Sequence, residues 1–416
     1  MISTNLDQLD INAAAEVLQK VVIKTPLQYH RKLSEQFGCD LYLKREDLQA
    51  VRSYKIRGAY NLIQSLSSQQ RASGIVCASA GNHAQGVAFS CRELGINGVI
   101  YMPTTTPKQK INRVKMLGSS NVEIILIGDT FDECQYHALL HAKNHKMEFI
   151  PPFDHLKIIE GQGTVAKEIL ADQGDIDLIF LPIGGGGLCA GVSSYFKTFS
   201  PKTKIIGVEP QGAPSMTEAL KAGRPVVLDK IQSFVDGASV KKVGDITFEL
   251  CKDAISEMLL VPEGKVSSTI LQLYTEDAIV AEPAGALSIA ALEQYADHLK
   301  GKTVVCVISG GNNDIDRMQE IKERSLLYEG LKHYFIIRFA QRPGALKEFV
   351  NHILGPDDDI VRFEFIKKHN KETGPALIGI EVKCEKDFDE LVTRMNLEKI
   401  NYTLINQNEN LFEYLV

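Results

Sequence analysis

No stretch of the 416 residues is long and apolar enough to cross a bilayer. The best candidate, Ala278 to Leu292, is broken by Glu282 and Pro283. The first residues, Met1 to Asp7, lack the basic start and apolar core of a secretory signal. The eight cysteines (Cys39, Cys77, Cys91, Cys134, Cys189, Cys251, Cys306 and Cys384) form no C-x-x-C pair and no cluster with histidine. That argues against a disulfide framework or a zinc site and for reduced thiols in a cytoplasmic protein. Basic residues are not in excess: 46 Lys and Arg stand against 52 Asp and Glu, a net charge of −6. The chain therefore carries no electrostatic footprint for nucleic acid or an anionic membrane. It has no Ser-His-Asp order, no H-E-x-x-H, no P-loop, no internal repeat and no low-complexity tract. Hydrophobic residues at 44% and charged residues at 24% are ordinary globular usage, which excludes a disordered chain.

What is present is alternation. Leu41 to Lys44, Gly74 to Ala78, Gly98 to Tyr101, Val122 to Ile127, Leu178 to Leu181, Lys204 to Val208 and Thr303 to Ile308 read as strands. Helical patterns lie between them, at Tyr54 to Leu66, Asn82 to Leu94, Pro107 to Leu117 and Phe131 to His145. Nearly continuous apolar strands separated by helices predict an α/β fold with parallel sheets covered on both faces. Such sheets bind ligands at the carboxyl ends of their strands. After about Arg324 the order becomes β-α-β-β-α-β, the ferredoxin-like plan. Its strands are expected at His333 to Ala340, Ile360 to Ile366, Ala376 to Val382 and within Tyr402 to Val416, with helices at Pro343 to Asn351 and Lys386 to Met395. A boundary is placed near Ser325, with a linker to Lys332. Pro343 suits a first helical turn, and Gly374-Pro375 reads as a turn. Asp357-Asp358-Asp359 and Lys367-Lys368-His369 read as solvated loops.

Four motifs carry chemistry. In Ser53-Tyr54-Lys55-Ile56-Arg57-Gly58-Ala59, Ser53 is the expected N-cap. Lys55 then lies in the first helical turn, where a cation opposes the helix dipole. A neutral, imine-forming lysine resolves that conflict; a solvated lysine is the plain alternative. Ser79-Ala80-Gly81-Asn82-His83-Ala84-Gln85-Gly86 follows a strand and opens a helix, so its backbone N–H groups can receive a carboxylate. An ordinary capped turn, with a structural His83, is the alternative. Gly184-Gly185-Gly186-Gly187-Leu188 follows another strand. Four glycines exceed what a structural turn needs, and they suit a phosphate nest. Gly185-x-Gly187-x-x-Ala190, with Glu209 ending the next strand, also matches a dinucleotide fingerprint. Ser309-Gly310-Gly311-Asn312 makes a further turn at a strand end.

In this order and spacing, the S-x-K-x-R-G-A, S-A-G-N-H-A-Q-G, G-G-G-G-L and S-G-G-N motifs resemble those of the fold-type II pyridoxal-phosphate enzymes. Within them the chain is similar to the biosynthetic threonine dehydratases, which carry a single C-terminal ACT-like regulatory domain. The resemblance implies a tryptophan-synthase-β-like catalytic domain over 1–324, with a smaller subdomain at about 50–150, and a regulatory domain over 325–416. It implies that Lys55 binds pyridoxal 5′-phosphate covalently and then serves as the general base. Asn82 would meet the cofactor's ring hydroxyl. Gly184, Gly185, Gly186, Gly187 and Leu188 would hold its phosphate, and Ser309 would face its ring nitrogen. Ser79, Gly81, Asn82 and His83 would line the substrate carboxylate. Gly237 and Glu282 match weaker family positions near the ring. The implied reaction turns L-threonine, or L-serine, into an oxo acid and ammonia. Ala80 stands where related racemases carry a hydroxyl, which implies elimination with little racemisation. Isoleucine as inhibitor, valine as its opponent, a loop at Arg342 to Leu346 that binds them, and a homotetramer follow from the same resemblance. No metal is expected.

Two other classes compete. A nicotinamide-dependent oxidoreductase built on Gly185, Gly187, Ala190 and Glu209 leaves Lys55, the Ser79 to Gly86 loop and Ser309 unexplained. A non-enzymatic amino-acid sensor leaves most of the chain without a purpose.

Overall fold

The computed structural model describes residues 9–367, 371–408 and 410–411. The chain divides into two units, Met1–Asp316 and Arg317–Val416.

The first unit is built on two sheets. The larger has the order β1-β2-β10-β7-β8-β9, formed by β1 (Leu27–Tyr29), β2 (Asp40–Arg45), β7 (Leu178–Pro182), β8 (Lys204–Pro210), β9 (Ile255–Val261) and β10 (Thr303–Ile308). Only β1 runs antiparallel; β2, β10, β7, β8 and β9 are parallel. The smaller sheet is all parallel, in the order β5-β4-β3-β6. Its strands are β3 (Ile75–Ala78), β4 (Gly98–Met102), β5 (Val122–Leu126) and β6 (Glu148–Phe149). Every residue of β3, β4 and β7 is buried, as expected of strands covered by helices on both faces. Each sheet has its own apolar core. Ile179, Leu181, Val192, Phe196, Val305 and Val307 anchor the larger; Ile56, Ile63, Ile75, Val87, Ile100 and Val114 anchor the smaller.

The helices expected at Asn82 to Leu94 and Phe131 to His145 have those bounds. The second starts at a capping box in which Thr130 and Glu133 satisfy each other's backbone N–H. All eight cysteines are free, and seven are buried. Among the described residues no helix is long and apolar enough to cross a membrane.

The second unit has the expected β-α-β-β-α-β order: β11 (Lys332–Ala340), helix Ala345–His352, β12 (Asp359–Phe365), β13 (Thr373–Glu381), helix Glu385–Leu397 and β14 (Tyr402–Leu404). The antiparallel sheet runs β12-β13-β11-β14. Phe335, Ile337, Phe349, Ile378, Ile380, Leu391 and Met395 fill its core. Four local expectations change. Helix Met318–Tyr328 runs through the first half of the segment expected to link Ser325 to Lys332. Gly374-Pro375 is not a turn but part of β13, opposite Phe339 and Arg338. The pairing of β12 with β13 reaches only Phe365↔Ala376, so the proline sits where a ladder N–H is dispensable. Pro343 precedes the helix, whose N-cap is Gly344 at φ +90°. Asp358 is not solvated: it accepts the Gly355 N–H at 2.6 Å and pairs with Arg394 at 3.1 Å. Lys368, His369 and Met1 to Asp7 lie outside the described residues.

Candidate active site

Lys55 opens helix Lys55–Ser65. Ser53 does not cap it: the N-cap is Tyr54, without a side-chain bond, while Ser53 bridges to Gly310 at the end of β10. Lys55 Nζ donates to the Pro152 carbonyl at 3.0 Å. Burial brings its amine down to about 8, against the opposing pull of the Glu282 carboxylate. The conflict between a cation and the helix dipole is thus eased by making the neutral amine accessible near neutral pH.

Backbone contacts clamp this helix tightly. A Cβ at Gly161 would come within 2.5 Å of the Arg57 carbonyl, and one at Gly58 within 2.8 Å of the Ile158 carbonyl. Arg57 is fully buried and forks to Glu46 and Glu168 at 2.7–2.9 Å. Lys44, also fully buried, pairs with Glu168 at 2.6 Å. Two cations and two carboxylates therefore balance inside the protein and tie the Lys55 helix to β2 and to helix Leu156–Asp172. No signal beyond Arg57 itself marked this network in the sequence.

The four glycines bend out of β7 into helix Gly187–Phe199, with Gly186 at φ +92°. Their carbonyls turn inward. Gly185 O accepts from Thr247 Oγ1 at 2.6 Å and from Gly244 N–H at 3.2 Å. Gly186 O accepts from Ala190 N–H, the first bond of the helix. The N–H groups of Gly187, Leu188 and Cys189, ahead of that bond, open at the helix start, where an anion is favoured. A Cβ at Gly185 would lie 2.3 Å from the Phe153 ring. Phe153 directly follows the Pro152 carbonyl that receives the lysine, so amine and glycine loop flank one short segment.

The loop after β3 is half-buried at Ser79 to Asn82. Ser79 Oγ accepts the Gly81 N–H at 3.2 Å. Gly81, not Asn82, is the N-cap, and Gln85 N–H to Gly81 O is the first helical bond. The N–H groups of Asn82, His83 and Ala84 are consequently open. His83 Nε2 is bonded to the Ile150 carbonyl at 2.9 Å. Burial drives its pKa to about 3, so the ring is neutral and acts as a strut. What His83 offers a ligand is its backbone.

Asn82 crosses to the larger sheet. Its Nδ2 donates to Glu282 Oε1 at 2.6 Å, and its Oδ1 accepts from Asn312 Nδ2 at 2.7 Å. Glu282 Oε2 takes the Asn312 N–H at 3.2 Å. Burial, with Asp236 nearby, pushes the Glu282 carboxyl up to about 7. Ser309 is buried at the end of β10, its carbonyl accepting the Tyr54 N–H at 3.1 Å. A Cβ at Gly237 would sit 3.6 Å from Glu282 Oε1. The sequence placed Asn312 in a motif but gave it no role; its amide is what joins the two subdomains.

Glu209 is fully buried, and its carboxylate takes the N–H groups of Met216 and Thr217 at 2.6 and 2.9 Å and the Thr217 hydroxyl at 2.8 Å. It caps the next helix and is fully buried there, out of reach of a ribose. This removes the acidic partner on which the dinucleotide reading depended.

These residues fit pyridoxal phosphate. A lysine with a lowered pKa, a glycine-rich helix start on the other side of the Pro152–Phe153 segment, and a buried Ser53 hydroxyl without a partner among the described residues are groups such a cofactor can use.

Residues 18–310 match the family described as pyridoxal-phosphate dependent enzyme. Residues 323–415 match the C-terminal regulatory domain of threonine dehydratase. The chain is 59% identical over 408 residues to the L-threonine dehydratase biosynthetic IlvA of Halalkalibacterium halodurans, covering 98% of both chains. It is 56% identical over 420 residues to the same-named protein of Staphylococcus aureus, covering 100% of both. Among solved structures, the processed form of threonine deaminase isoform 2 from Solanum lycopersicum superposes with a TM-score of 0.73 at 42% identity, covering 78% of this chain and 94% of that one.

Proposed function

The chain belongs to the pyridoxal-phosphate-dependent enzymes, and on that premise we propose that it catalyses the biosynthetic L-threonine dehydratase (threonine ammonia-lyase) reaction, L-threonine to 2-oxobutanoate and ammonia. The observation that carries this reading is the full-length match to biosynthetic threonine dehydratases, joined to a lysine whose amine is brought to about 8 beside a glycine-rich cradle.

Bound pyridoxal phosphate supplies a conjugated ring that draws off the negative charge developing at the substrate's α-carbon. The rest is work for this chain's residues. Lys55 would hold the cofactor through its amine, and the same buried amine, when free, would take the α-proton as general base, since burial favours its neutral form. Gly184 to Leu188 hold the phosphate through N–H groups. Asn82 meets the ring hydroxyl, and Ser309 faces the ring nitrogen. A neutral hydroxyl there, instead of a carboxylate, limits how far the ring nitrogen is charged and favours fast β-elimination. The open N–H groups of the Ser79 to His83 loop orient the substrate carboxylate. The β-hydroxyl needs one proton to leave as water, and the proton that Lys55 takes from the α-carbon balances it. Ala80 offers no proton to the opposite face of the α-carbon, which favours elimination over racemisation.

The regulatory unit has a cavity of about 290 Å³ lined by Phe339, Arg342, Gly344, Leu346, Phe363 and Phe365, among others. An apolar wall with a cation at the rim suits a branched-chain amino acid, which supports isoleucine as inhibitor and valine as its opponent. The effector acts only if it binds the low-activity state better. A homotetramer in the cytoplasm completes the reading; the free, buried thiols favour a reducing compartment.

The test is the absorption spectrum of the purified holoenzyme before and after L-threonine, followed by assay of the product. A visible cofactor band that changes on addition, with 2-oxobutanoate formed and isoleucine suppressing it, is expected. Lys55→Ala should cut turnover by roughly 10⁴-fold. A featureless spectrum that exogenous pyridoxal phosphate does not alter would overturn the assignment.

A further inference from the structure

The two amide side chains are each oriented by an oxygen acceptor: the Val51 carbonyl for Asn312 and, in its ionised form, the Glu282 carboxylate for Asn82. Asn312 Nδ2 donates to the Val51 carbonyl at 2.8 Å and to Asn82 Oδ1 at 2.7 Å. Those two bonds use both of its amide hydrogens. Turning the Asn312 amide over would set its oxygen against the Val51 carbonyl and against Asn82 Oδ1. Asn82 Nδ2 gives one hydrogen to Glu282 Oε1 at 2.6 Å. Glu282 is itself fixed, because its second oxygen takes the Asn312 backbone N–H at 3.2 Å and its own N–H is bound to the Gly310 carbonyl at 3.1 Å. Turning the Asn82 amide over would set oxygen against carboxylate. With its oxygen taken and one hydrogen given away, the polar group that Asn82 still has to offer is its second amide N–H.

We propose that Asn312 and Glu282 are positioning residues that keep an N–H of Asn82, and not its carbonyl, turned to the ring oxygen of the bound cofactor. This rests on the reading that Asn82 meets that oxygen. A donor there stabilises the anionic form of the oxygen; an acceptor stabilises the protonated form. The direction of a hydrogen-bond chain that starts at the Val51 carbonyl thus sets the protonation of the cofactor. The charged and titratable groups around this chain are Lys55, Tyr54, Asp236 and Lys110, together with Arg52 and Arg113, which line the pocket beside Asn312. None of them intervenes in the three bonds that fix the amides.

The experiment is a spectrophotometric pH titration of the bound cofactor in the holoenzyme, with far-UV circular dichroism to check folding. The variants are Asn82→Ala, Asn312→Asp and Asn312→Ala. In Asn312→Asp the new carboxylate cannot donate, so Asn82 must give its two hydrogens to two carboxylates and has none left for the ring. The midpoint of the cofactor band should rise by about one pH unit, as in Asn82→Ala. Asn312→Ala, which frees the Asn82 amide to rotate, should move it the same way by less. A structural role alone would lower the melting temperature and leave the midpoint in place. If Asn82→Ala shifts the midpoint and neither Asn312 variant does, the proposal is overturned while the Asn82 reading stands. If Asn82→Ala itself shifts nothing, the Asn82 reading fails and takes the proposal with it. Should Asn312→Asp not fold, Asn312→Ala decides the matter.

Discussion

The catalytic unit carries exposed ion pairs such as Arg31 with Glu35, but around the Lys55 helix it also keeps a group of charges inside. Lys44, Glu46 and Arg57 are 0% exposed and Glu282 is 5% exposed. In the regulatory unit most ion pairs are on the outside: Arg342 with Glu348, Arg362 with Glu364 and Lys383 with Asp357 all have partners that are about one-third to two-thirds exposed. Lys332, which pairs with Glu323 and Glu381 at the start of β11, and Asp358, which pairs with Arg394, are partial exceptions. The core of that unit is instead aromatic and aliphatic, with Phe339 against Phe349, Phe363 and Phe365 edge to face. The two arrangements suit two tasks. A lysine that must be neutral at its working pH needs a dry surround, and a dry surround forces nearby charges to be paired. A loop that reads a free amino acid needs access, and an open site leaves its charges in water.

The largest effect that breaks this contrast comes from the buried network. Arg57→Met removes one of two cations and leaves Glu46 with Lys44, the Thr25 hydroxyl and a long 3.4 Å bond from Gln49 Nε2 to compensate it. The expected loss is about 3–5 kcal/mol in urea unfolding, because a stranded buried carboxylate costs more than the pair was worth. Since Arg57 lies two residues from Lys55, the variant should also weaken cofactor retention. That would be read as faster loss of the visible band on dialysis.

A smaller effect concerns pH. The Glu282 carboxyl titrates near 7 in the folded protein, against an ordinary value of 4.5. Its folded pKa is raised, so the stability it contributes is full below 4.5 and is lost as pH rises through about 7. Glu282→Gln cannot ionise and should escape that loss. Relative to the parent, the variant should gain on the order of 2 kcal/mol between pH 5 and pH 8. Thermal melts at the two pH values test it, and an unchanged difference between the proteins would count against a buried, uncompensated carboxylate.

Local chemistry made much of this molecule readable in advance. Runs such as Thr303 to Ile308 can only be buried strands, and four glycines after a strand announce a backbone that must approach something closely. A cation at a helix start drew attention to Lys55, but the residues alone left a solvated lysine open, and its role came from the resemblance. What escaped was pairing at long range. Arg57 meets Glu168 across 111 residues, Asn82 meets Glu282 across 200, and Asn312 meets Asn82 across 230. No periodicity encodes such partners. Turn signals failed where tertiary structure overrode them. Pro375 sits in a strand because its neighbour ends there, and Ser53 is drawn into a bridge with Gly310 instead of capping a helix. Glu209 stood where a ribose-binding acid is expected, yet the helix that follows β8 claimed it first.

The smallest structural effect belongs to the regulatory loop. Arg342 grips Glu348 through both guanidinium nitrogens, at 2.8 and 2.6 Å, yet each partner is more than half exposed. Solvent screens such a pair, and the cost of fixing two long side chains offsets most of its attraction. Arg342→Ala should therefore leave the urea midpoint where it was. The same side chain lines the cavity beside Phe363 and Leu346, with Lys367 the other cation in that lining, and its planar fork suits an amino-acid carboxylate. Charged hydrogen bonds to a ligand are stronger than those to water-exposed partners, so the isoleucine concentration for half inhibition should rise about tenfold or more. Glu348→Ala separates the two roles. It breaks the same ion pair but frees Arg342 for the ligand, so it should leave the response to isoleucine intact or sharpen it. Equal losses of isoleucine response in both variants would mean that the pair shapes the loop, and that Arg342 does not itself hold the ligand.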